Sequence, residues 1–166
     1  MTFEELAKEL EALFPEGFQK VEYADFRELR SMDFPDDLKK FYRKHNPVVP
    51  LDIGRFRLLP LKNLVDLNVW DEYGEILYDL GLSIVGESEE GNLYCLDMAG
   101  ENASGGNDVL IAPRDIDLTG IDLKKARSKM KFQASSIGEL LAKEIAFRKK
   151  KKTARLNRSA PSRVAC

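Results

Sequence analysis

Two segments constrain the fold of this chain more than any others, and the first runs from Phe34 to Asn46. Pro35 suits the first turn of a helix, because its φ is fixed and its missing N–H needs no partner there. Two aspartates follow it and complement the positive end of the helix dipole. Side chains that can pack inward then recur at helical spacing, at Leu38, Phe41, Tyr42 and His45. The segment therefore predicts an amphipathic helix that ends at Asn46, since a residue before proline avoids the helical region.

The second segment, from Gly81 to Asp97, has the pattern of a β-hairpin. Two apolar runs, Leu82–Val85 and Leu93–Met98, have the length of short strands. The acidic and glycine-containing stretch Glu87–Asn92 between them supplies the residues that a hairpin turn needs. We therefore expect two adjacent antiparallel strands here.

The rest of the chain mixes helical and strand-like patterns. Thr2 and Glu5 stand at the spacing of a capping box, followed by an apolar stripe at helical spacing. Further elements are expected as a strand at Phe56–Pro60, a helix opening Leu61–Glu75, a strand at Val109–Ala112 and a last helix from Ser135 or Ser136. Two stretches stay open: Tyr23–Met32 fits a helix or an extended connector, and Asp115–Phe132 follows no single period.

The order of these segments, together with two motifs, carries a family resemblance. A pattern Pro-x-x-Leu-x-x-Phe-Tyr ending at an asparagine is present at Pro35, Leu38, Phe41, Tyr42 and Asn46. A hairpin pattern Ile-Gly-turn-Gly-Asp/Asn with a later acid is present at Ile84, Gly86, Gly91, Asn92 and Asp97. Over roughly residues 20–145 the chain resembles the SUKH superfamily, which holds bacterial toxin-immunity proteins and fungal regulators of cell-wall assembly. It departs from the family at Pro47, where glycine is usual, and at Pro50, which precedes a short strand.

The resemblance implies an α+β fold with a mixed, mainly antiparallel sheet of about six strands and helices packed on one side. We expect a single SUKH-like domain over residues 1–147, followed by a basic, disordered tail over residues 148–166. The apolar stripe of the last helix ends at Phe147, and a run of like charges begins there.

Charge is divided between these two parts. Residues 148–166 carry 8 basic side chains and no acidic ones, which leaves 18 basic against 28 acidic in residues 1–147, a net of about −10. An acidic body favours a basic protein partner. The tail has two interpretations, a solubilising unstructured end or a contact with RNA, DNA or an anionic membrane. We favour the first, and the lack of aromatic residues among the basic ones weakens a single-strand-binding interpretation.

The two cysteines, Cys95 and Cys166, are too few for a disulfide framework, and we expect free thiols in a reducing cytoplasm. No secretory signal pattern follows Met1, and no apolar stretch approaches the roughly 20 residues that span a bilayer. We expect a cytoplasmic protein that is a monomer or a weak dimer.

Catalytic patterns are not found in this sequence. The one histidine, His45, stands at a helix C-terminus, where capping or surface packing is favoured over general-base chemistry. The cysteines are too far apart to complete a zinc site, and Ser104–Gly106 lacks the strand-to-helix context of a phosphate-binding loop. We therefore expect no enzymatic activity, no cofactor, no metal and no small-molecule substrate.

Acidic residues beside aromatic ones are the candidates for a binding surface. Runs of charge are usually solvated faces, but Trp and Tyr beside carboxylates have the composition of an interface hot spot for a basic partner. The candidate contact residues are Trp70, Asp71, Glu72, Tyr73, Glu75, Glu87, Glu89 and Glu90. The resemblance implies a non-enzymatic immunity protein that binds a cognate toxin, often a nuclease or deaminase, and neutralises it by occlusion. The alternative is a regulatory or scaffold domain that binds cellular proteins, with its basic tail on nucleic acid or an anionic membrane.

Overall fold

A computed structural model describes residues 1–159 of the chain, and residues 160–166, including Arg163 and Cys166, lie outside the described part. The helices are α1 (Phe3–Leu13), α2 (Tyr23–Ser31), α3 (Asp36–Lys44), α4 (Leu61–Val65), α5 (Glu72–Asp79), α6 (Leu123–Ser128) and α7 (Ile137–Ser159). The strands are β1 (Phe18–Gln19), β2 (Asn46–Pro47), β3 (Leu51–Ile53), β4 (Phe56–Leu58), β5 (Leu82–Ser88), β6 (Leu93–Asp97), β7 (Val109–Ala112) and β8 (Lys131–Ala134). A π-helical segment, Asp66–Trp70, lies between α4 and α5.

The main sheet confirms the predicted α+β fold. Its six strands follow the chain in the order β3-β4-β5-β6-β7-β8, and every neighbouring pair is antiparallel. The predicted hairpin is β5 and β6, which form the centre of the sheet. A separate two-stranded sheet of β1 and β2 joins the end of α1 to the end of α3.

Alternating side chains of the central strands divide the core between the two faces of the sheet. Tyr94 and Leu96 of β6 belong to the larger cluster, which also contains apolar residues of α1, α3, α4 and α7. Leu93 and Cys95 point the other way into a smaller cluster, which is covered by α5 and α6. The main helical layer thus lies on one face, and two short helices cover the other.

Local capping rules placed the first helices correctly. Thr2 Oγ1 accepts from the Glu5 N–H at 3.2 Å and the Glu5 carboxylate accepts from the Thr2 N–H at 2.6 Å, so the capping box is present. Pro35 is the N-cap of α3, one residue before the first helical turn in which it was predicted. The open stretch Tyr23–Met32 is resolved as the helix α2.

The second open stretch, Asp115–Phe132, contains α6 and the start of β8. The Asp122 side chain caps α6 by accepting from the Lys125 N–H at 2.8 Å. Arg127 then ties this helix to the sheet, donating from Nε and Nη2 to the Asp97 carboxylate at 2.6 and 2.8 Å. The stretch contains a short helix and the start of a strand, which explains why its apolar residues follow no single helical or strand period.

The basic tail differs from its prediction. Helix α7 continues through Ser159, so residues 148–159 are helical, whereas the sequence predicted disorder from residue 148. Lysine, arginine, alanine and leucine are good helix formers, and the ion pair between Lys149 and Glu9 of α1 fixes the first extra turn to the body.

An ion pair between a buried carboxylate and a partly exposed arginine holds α7 to the sheet. The carboxylate of Glu144, which is 2% exposed, accepts from the Arg55 N–H at 2.7 Å and from Arg55 Nη2 at 2.9 Å. Gly54 precedes Arg55 in the β3–β4 turn, and its φ of 61° lies in the left-handed region. A Cβ at Gly54 would lie 2.5 Å from Glu144 Oε2 and 2.8 Å from the Glu144 carbonyl oxygen. The turn and the buried carboxylate therefore require glycine at this position.

We expect Gly54→Ala to lower the free energy of unfolding by about 2–3 kcal/mol, from the strain of positive φ and the clash with Glu144. Gly91→Ala is the matched control, because Gly91 also has positive φ but nothing lies within 4 Å of its Cβ position. That variant should lose only about 1 kcal/mol. Denaturant unfolding of the two variants measures the difference, and equal losses would mean that the Glu144 contact adds nothing.

Candidate partner-binding surface

The candidate surface begins at the edge of β5, where β4 leaves the main sheet. Strand β4 pairs with β5 only at Phe56 and Arg57, so the backbone of Ile84 further along β5 has no strand on that side. The Asn68 side chain takes this place. Its Oδ1 accepts from the Ile84 N–H at 2.8 Å, and its Nδ2 donates to the carbonyls of Ile84 and Leu64, both at 2.9 Å.

This pairing explains the π-helical segment. Asn68 is fully buried, and a wider turn lets its amide reach the strand while the helix continues. The neighbours of Asn68 are displaced outward as a result: Val69 is 39% exposed and Trp70 is 77% exposed. Segments of π-helix occur frequently at functional sites. Here the segment presents a tryptophan to solvent.

Helix α5 continues the surface with acidic side chains. Asp71 caps the helix, since its carboxylate accepts from the Gly74 N–H at 2.8 Å. The inward side packs closely, because Leu77 is buried and a Cβ at Gly74 would lie 1.7 Å from the Leu67 carbonyl oxygen. The outward side carries exposed residues at i, i+3, i+4 and i+7, namely Glu72, Glu75, Ile76 and Asp79. We call Trp70 together with these four residues the acidic helix face.

Tyr73 is turned away from this face toward the sheet. It is half-buried against the smaller cluster, and its hydroxyl donates to the Pro113 carbonyl at 2.6 Å. Burial raises the pKa of Tyr73 to about 12, so the hydroxyl stays protonated and continues to donate. Tyr73 therefore anchors the start of α5 to the end of β7.

The other predicted acids lie at the β5–β6 turn, in different surroundings. Glu87 stands opposite Arg57 in the strand register, with 3.7 Å between its Oε1 and Arg57 Nη1. Glu89 and Glu90 are exposed at the tip of the turn. Glu89 lines a groove together with basic residues of α7. The turn is thus a mixed-charge region.

The strand register places the two groups at the same end of the sheet. Pro113 follows Ala112, Ala112 pairs with Leu93, and Leu93 pairs with Glu87. Sequence reasoning missed Val69, Ile76 and Asp79 as parts of this surface. The spacing of Glu72, Glu75 and Asp79 was a visible signal for an outward helix face, whereas the exposure of Val69 depends on the π-helical segment.

Other candidates for chemistry have structural roles. The His45 ring stacks on Phe41 at 5.3 Å between centroids, and Nε2 lies 2.8 Å from Glu11 Oε1. Cys95 is a buried free thiol, and burial raises its pKa to about 12. Within residues 1–159, no group of three His, Cys, Asp or Glu side chains is arranged to hold a metal ion. No helix in that range combines the length and apolar character that crossing a membrane requires.

Comparison with known proteins supports the family resemblance. Residues 4–143 match the model of the SMI1 / KNR4 family (SUKH-1), which confirms the SUKH resemblance of the two motifs. Neither the curated proteins nor the solved structures gave a match. The matched span contains the whole acidic helix face and ends at Lys143 within α7, before the basic run that starts at Arg148.

Proposed function

The chain belongs to the SMI1/KNR4 family (SUKH-1), and on that premise we propose that it is a non-enzymatic protein-binding domain that neutralises a cognate toxin by occlusion. The family is generally one of binding domains, with immunity and regulatory members. The proposed partner is a basic toxin protein, in keeping with the net charge of about −10 on residues 1–147.

The observation that carries the proposal is the 77% exposure of Trp70, the only tryptophan of the chain, beside a row of carboxylates. Tryptophan is enriched among the residues that dominate binding energy, especially where an apolar centre is ringed by polar groups. Val69 and Ile76 add exposed apolar area, and Glu72, Glu75 and Asp79 supply a charged rim. The charged rim would speed the association of a basic partner, and burial of Trp70 in the complex would slow its dissociation.

Of the residues proposed for contact, Trp70, Glu72 and Glu75 support this role most directly, because their side chains are exposed. Asp71 and Tyr73 also position α5 through the Gly74 cap and the Pro113 hydrogen bond. Glu87, Glu89 and Glu90 form a second proposed contact region at the β5–β6 turn. An occluding complex of standard size, which buries about 800 Å² on each partner, is large enough to include both groups.

A specific observation favours a second candidate function, a regulatory or scaffold domain. The helical extension of α7 carries seven basic side chains and no acidic one, outside the matched family span. A domain that anchors on nucleic acid or an anionic membrane through this helix would also bind cellular proteins through its acidic helix face.

Co-expression with each candidate toxin whose gene adjoins the gene of this chain tests the proposal. The wild-type chain should restore growth and form a complex with the toxin that survives gel filtration, while the mass of the toxin stays unchanged. The variant Lys151→Gln/Lys152→Gln/Arg155→Gln should protect equally well, because it leaves the acidic helix face intact. Loss of protection in this variant would favour the regulatory or anchoring function. Covalent change or cleavage of the toxin would contradict a non-enzymatic mechanism.

A further inference from the structure

The basic extension of α7 forms one wall of a groove on the body. Arg148, Lys151, Lys152 and Arg155 recur at i, i+3, i+4 and i+7, so they share one face of the helix. Arg55 of the β3–β4 turn lies across from them, and Glu89 stands on the rim. The groove has a volume of about 350 Å³. Two separate parts of the fold therefore bring five cationic side chains to one concavity.

The wall is held in place by contacts to the body. Arg148 Nη1 donates to the Asp52 carbonyl at 2.7 Å, and its guanidinium lies 4.6 Å from the centroid of the Phe14 ring. Next to Arg148, about 100° around the helix, Lys149 pairs with Glu9 of α1. These contacts fix the orientation of the first turn of the extension relative to the β3–β4 turn. The groove between them is therefore held in shape by the fold.

The charge of the groove is strongly positive. Its two acids are Asp52 and Glu89, and the Asp52 carboxylate already accepts from Arg57 Nε at 2.7 Å. Within residues 1–159, no side-chain hydrogen bond or ion pair engages Lys151, Lys152 or Arg155. Three cations therefore face the groove with their charge uncompensated.

We propose that this groove binds the phosphate backbone of a double-stranded nucleic acid. Guanidinium groups match phosphate oxygens with paired N–H donors, and lysines add point charges that neutralise neighbouring phosphates. Seven basic residues from Arg148 to Arg158 extend over about 15 Å of helix, which is long enough to follow several phosphates of a duplex. The contacts are to the backbone, so binding is independent of base sequence.

Two observations favour a duplex over a membrane or a single strand. Leu156 is the only large apolar side chain between Arg148 and Ser159, so the helix has no apolar face to insert into lipid. Among the described residues, none that lines the groove is aromatic, so no base can stack inside it. The Phe147 and Phe14 rings already stack with the guanidinium groups of Arg55 and Arg148, at 4.6 Å from each ring centroid.

The acidic body does not prevent this binding at cellular ionic strength. Charges further apart than about 8–10 Å are largely screened there, and the basic extension projects from the body with Lys151–Ser159 exposed throughout. The groove and the acidic helix face are formed by different elements. A single molecule can therefore bind a duplex in the groove and a basic protein on the acidic helix face, and Glu89 is the one proposed toxin contact that also lies on the groove rim.

Fluorescence anisotropy with a labelled duplex of arbitrary sequence tests the proposal on the full chain. We expect binding at 50 mM salt that weakens steeply toward 200 mM. Lys151→Gln/Lys152→Gln/Arg155→Gln should weaken binding at least tenfold and reduce the slope of log K against log salt by roughly 2–3, one unit per lost phosphate contact. Glutamine keeps the helix propensity close to that of lysine and arginine.

Lys40→Gln/Arg43→Gln/Lys44→Gln on α3 is the matched control, with the same loss of two lysines and one arginine from exposed positions. It should retain the affinity and the salt slope of the wild type. Equal losses in both variants would overturn the proposal, because binding would then follow net charge alone. Absence of duplex binding at 50 mM salt would also overturn it, as would binding to phosphatidylserine vesicles without binding to the duplex.

Discussion

Replacing Asn68 with alanine should lower the free energy of unfolding by about 3 kcal/mol or more. The Asn68 amide makes three hydrogen bonds, to the Ile84 N–H and to the carbonyls of Ile84 and Leu64, and all of them are buried. Truncation removes the partner of the Ile84 N–H and C=O groups where β4 has already left the sheet, and each unsatisfied buried group costs about 1–3 kcal/mol. The melting temperature of a domain this size should fall by roughly 10 °C.

Chemical denaturation and thermal melting of Asn68→Ala measure this loss. Asn63→Ala is the control, because Asn63 is exposed on α4, in the same helical segment. Its stability should change by less than about 0.5 kcal/mol. A loss below about 1 kcal/mol in Asn68→Ala would mean that the amide does not substitute for a strand at this edge.

The variant Trp70→Ala/Glu72→Lys/Glu75→Lys should weaken binding of the cognate toxin by on the order of a hundredfold or more. Truncation of a hot-spot tryptophan costs about 2 kcal/mol or more by itself, and the two charge reversals replace attraction to a basic partner with repulsion. Asp71 is left unchanged, because its carboxylate caps α5 and its loss would reduce stability. Titration calorimetry at two salt concentrations measures the affinity, and the wild-type affinity should fall as salt rises.

Helix α2 supplies a closely matched control for this variant. Tyr23 is 79% exposed, and Glu22 before it and Glu28 further along the helix are also exposed. Tyr23→Ala/Glu22→Lys/Glu28→Lys therefore removes one aromatic ring and reverses two charges at another place on the body. It should bind the toxin nearly as well as the wild type does. The reverse result, with binding lost in the α2 variant and kept in the α5 variant, would move the interface to α2.

Much of the fold was predictable, because its signals are local. The capping pair Thr2 and Glu5 and the proline before α3 act within one helical turn, so their effect does not depend on the rest of the chain. The hairpin β5–β6 likewise follows from a turn between two apolar runs. These elements supply the two central strands of the sheet and two of the helices packed on it, and two of them carry the motifs of the family resemblance.

The parts that were not predictable depend on distant contacts. The π-helical segment exists because the Asn68 side chain pairs with the backbone of Ile84. No sequence pattern around Asn68 predicts that hydrogen-bond partner. The extension of α7 is fixed by contacts with Glu9 of α1 and with the Asp52 carbonyl of β3. Both residues lie far from the extension in the sequence. Composition alone drew attention to Trp70 and Glu72, but only the fold distinguishes the outward acidic helix face from the inward Tyr73.

Hydrogen exchange of the chain, alone and in complex with its toxin, tests the central proposal most directly. If the molecule works by covering its partner with the acidic helix face, the backbone amides of residues 66–79 should gain protection in the complex, together with those at the β5–β6 turn. Protection confined to other elements, with residues 66–79 exchanging as fast as in the free chain, would contradict the proposal.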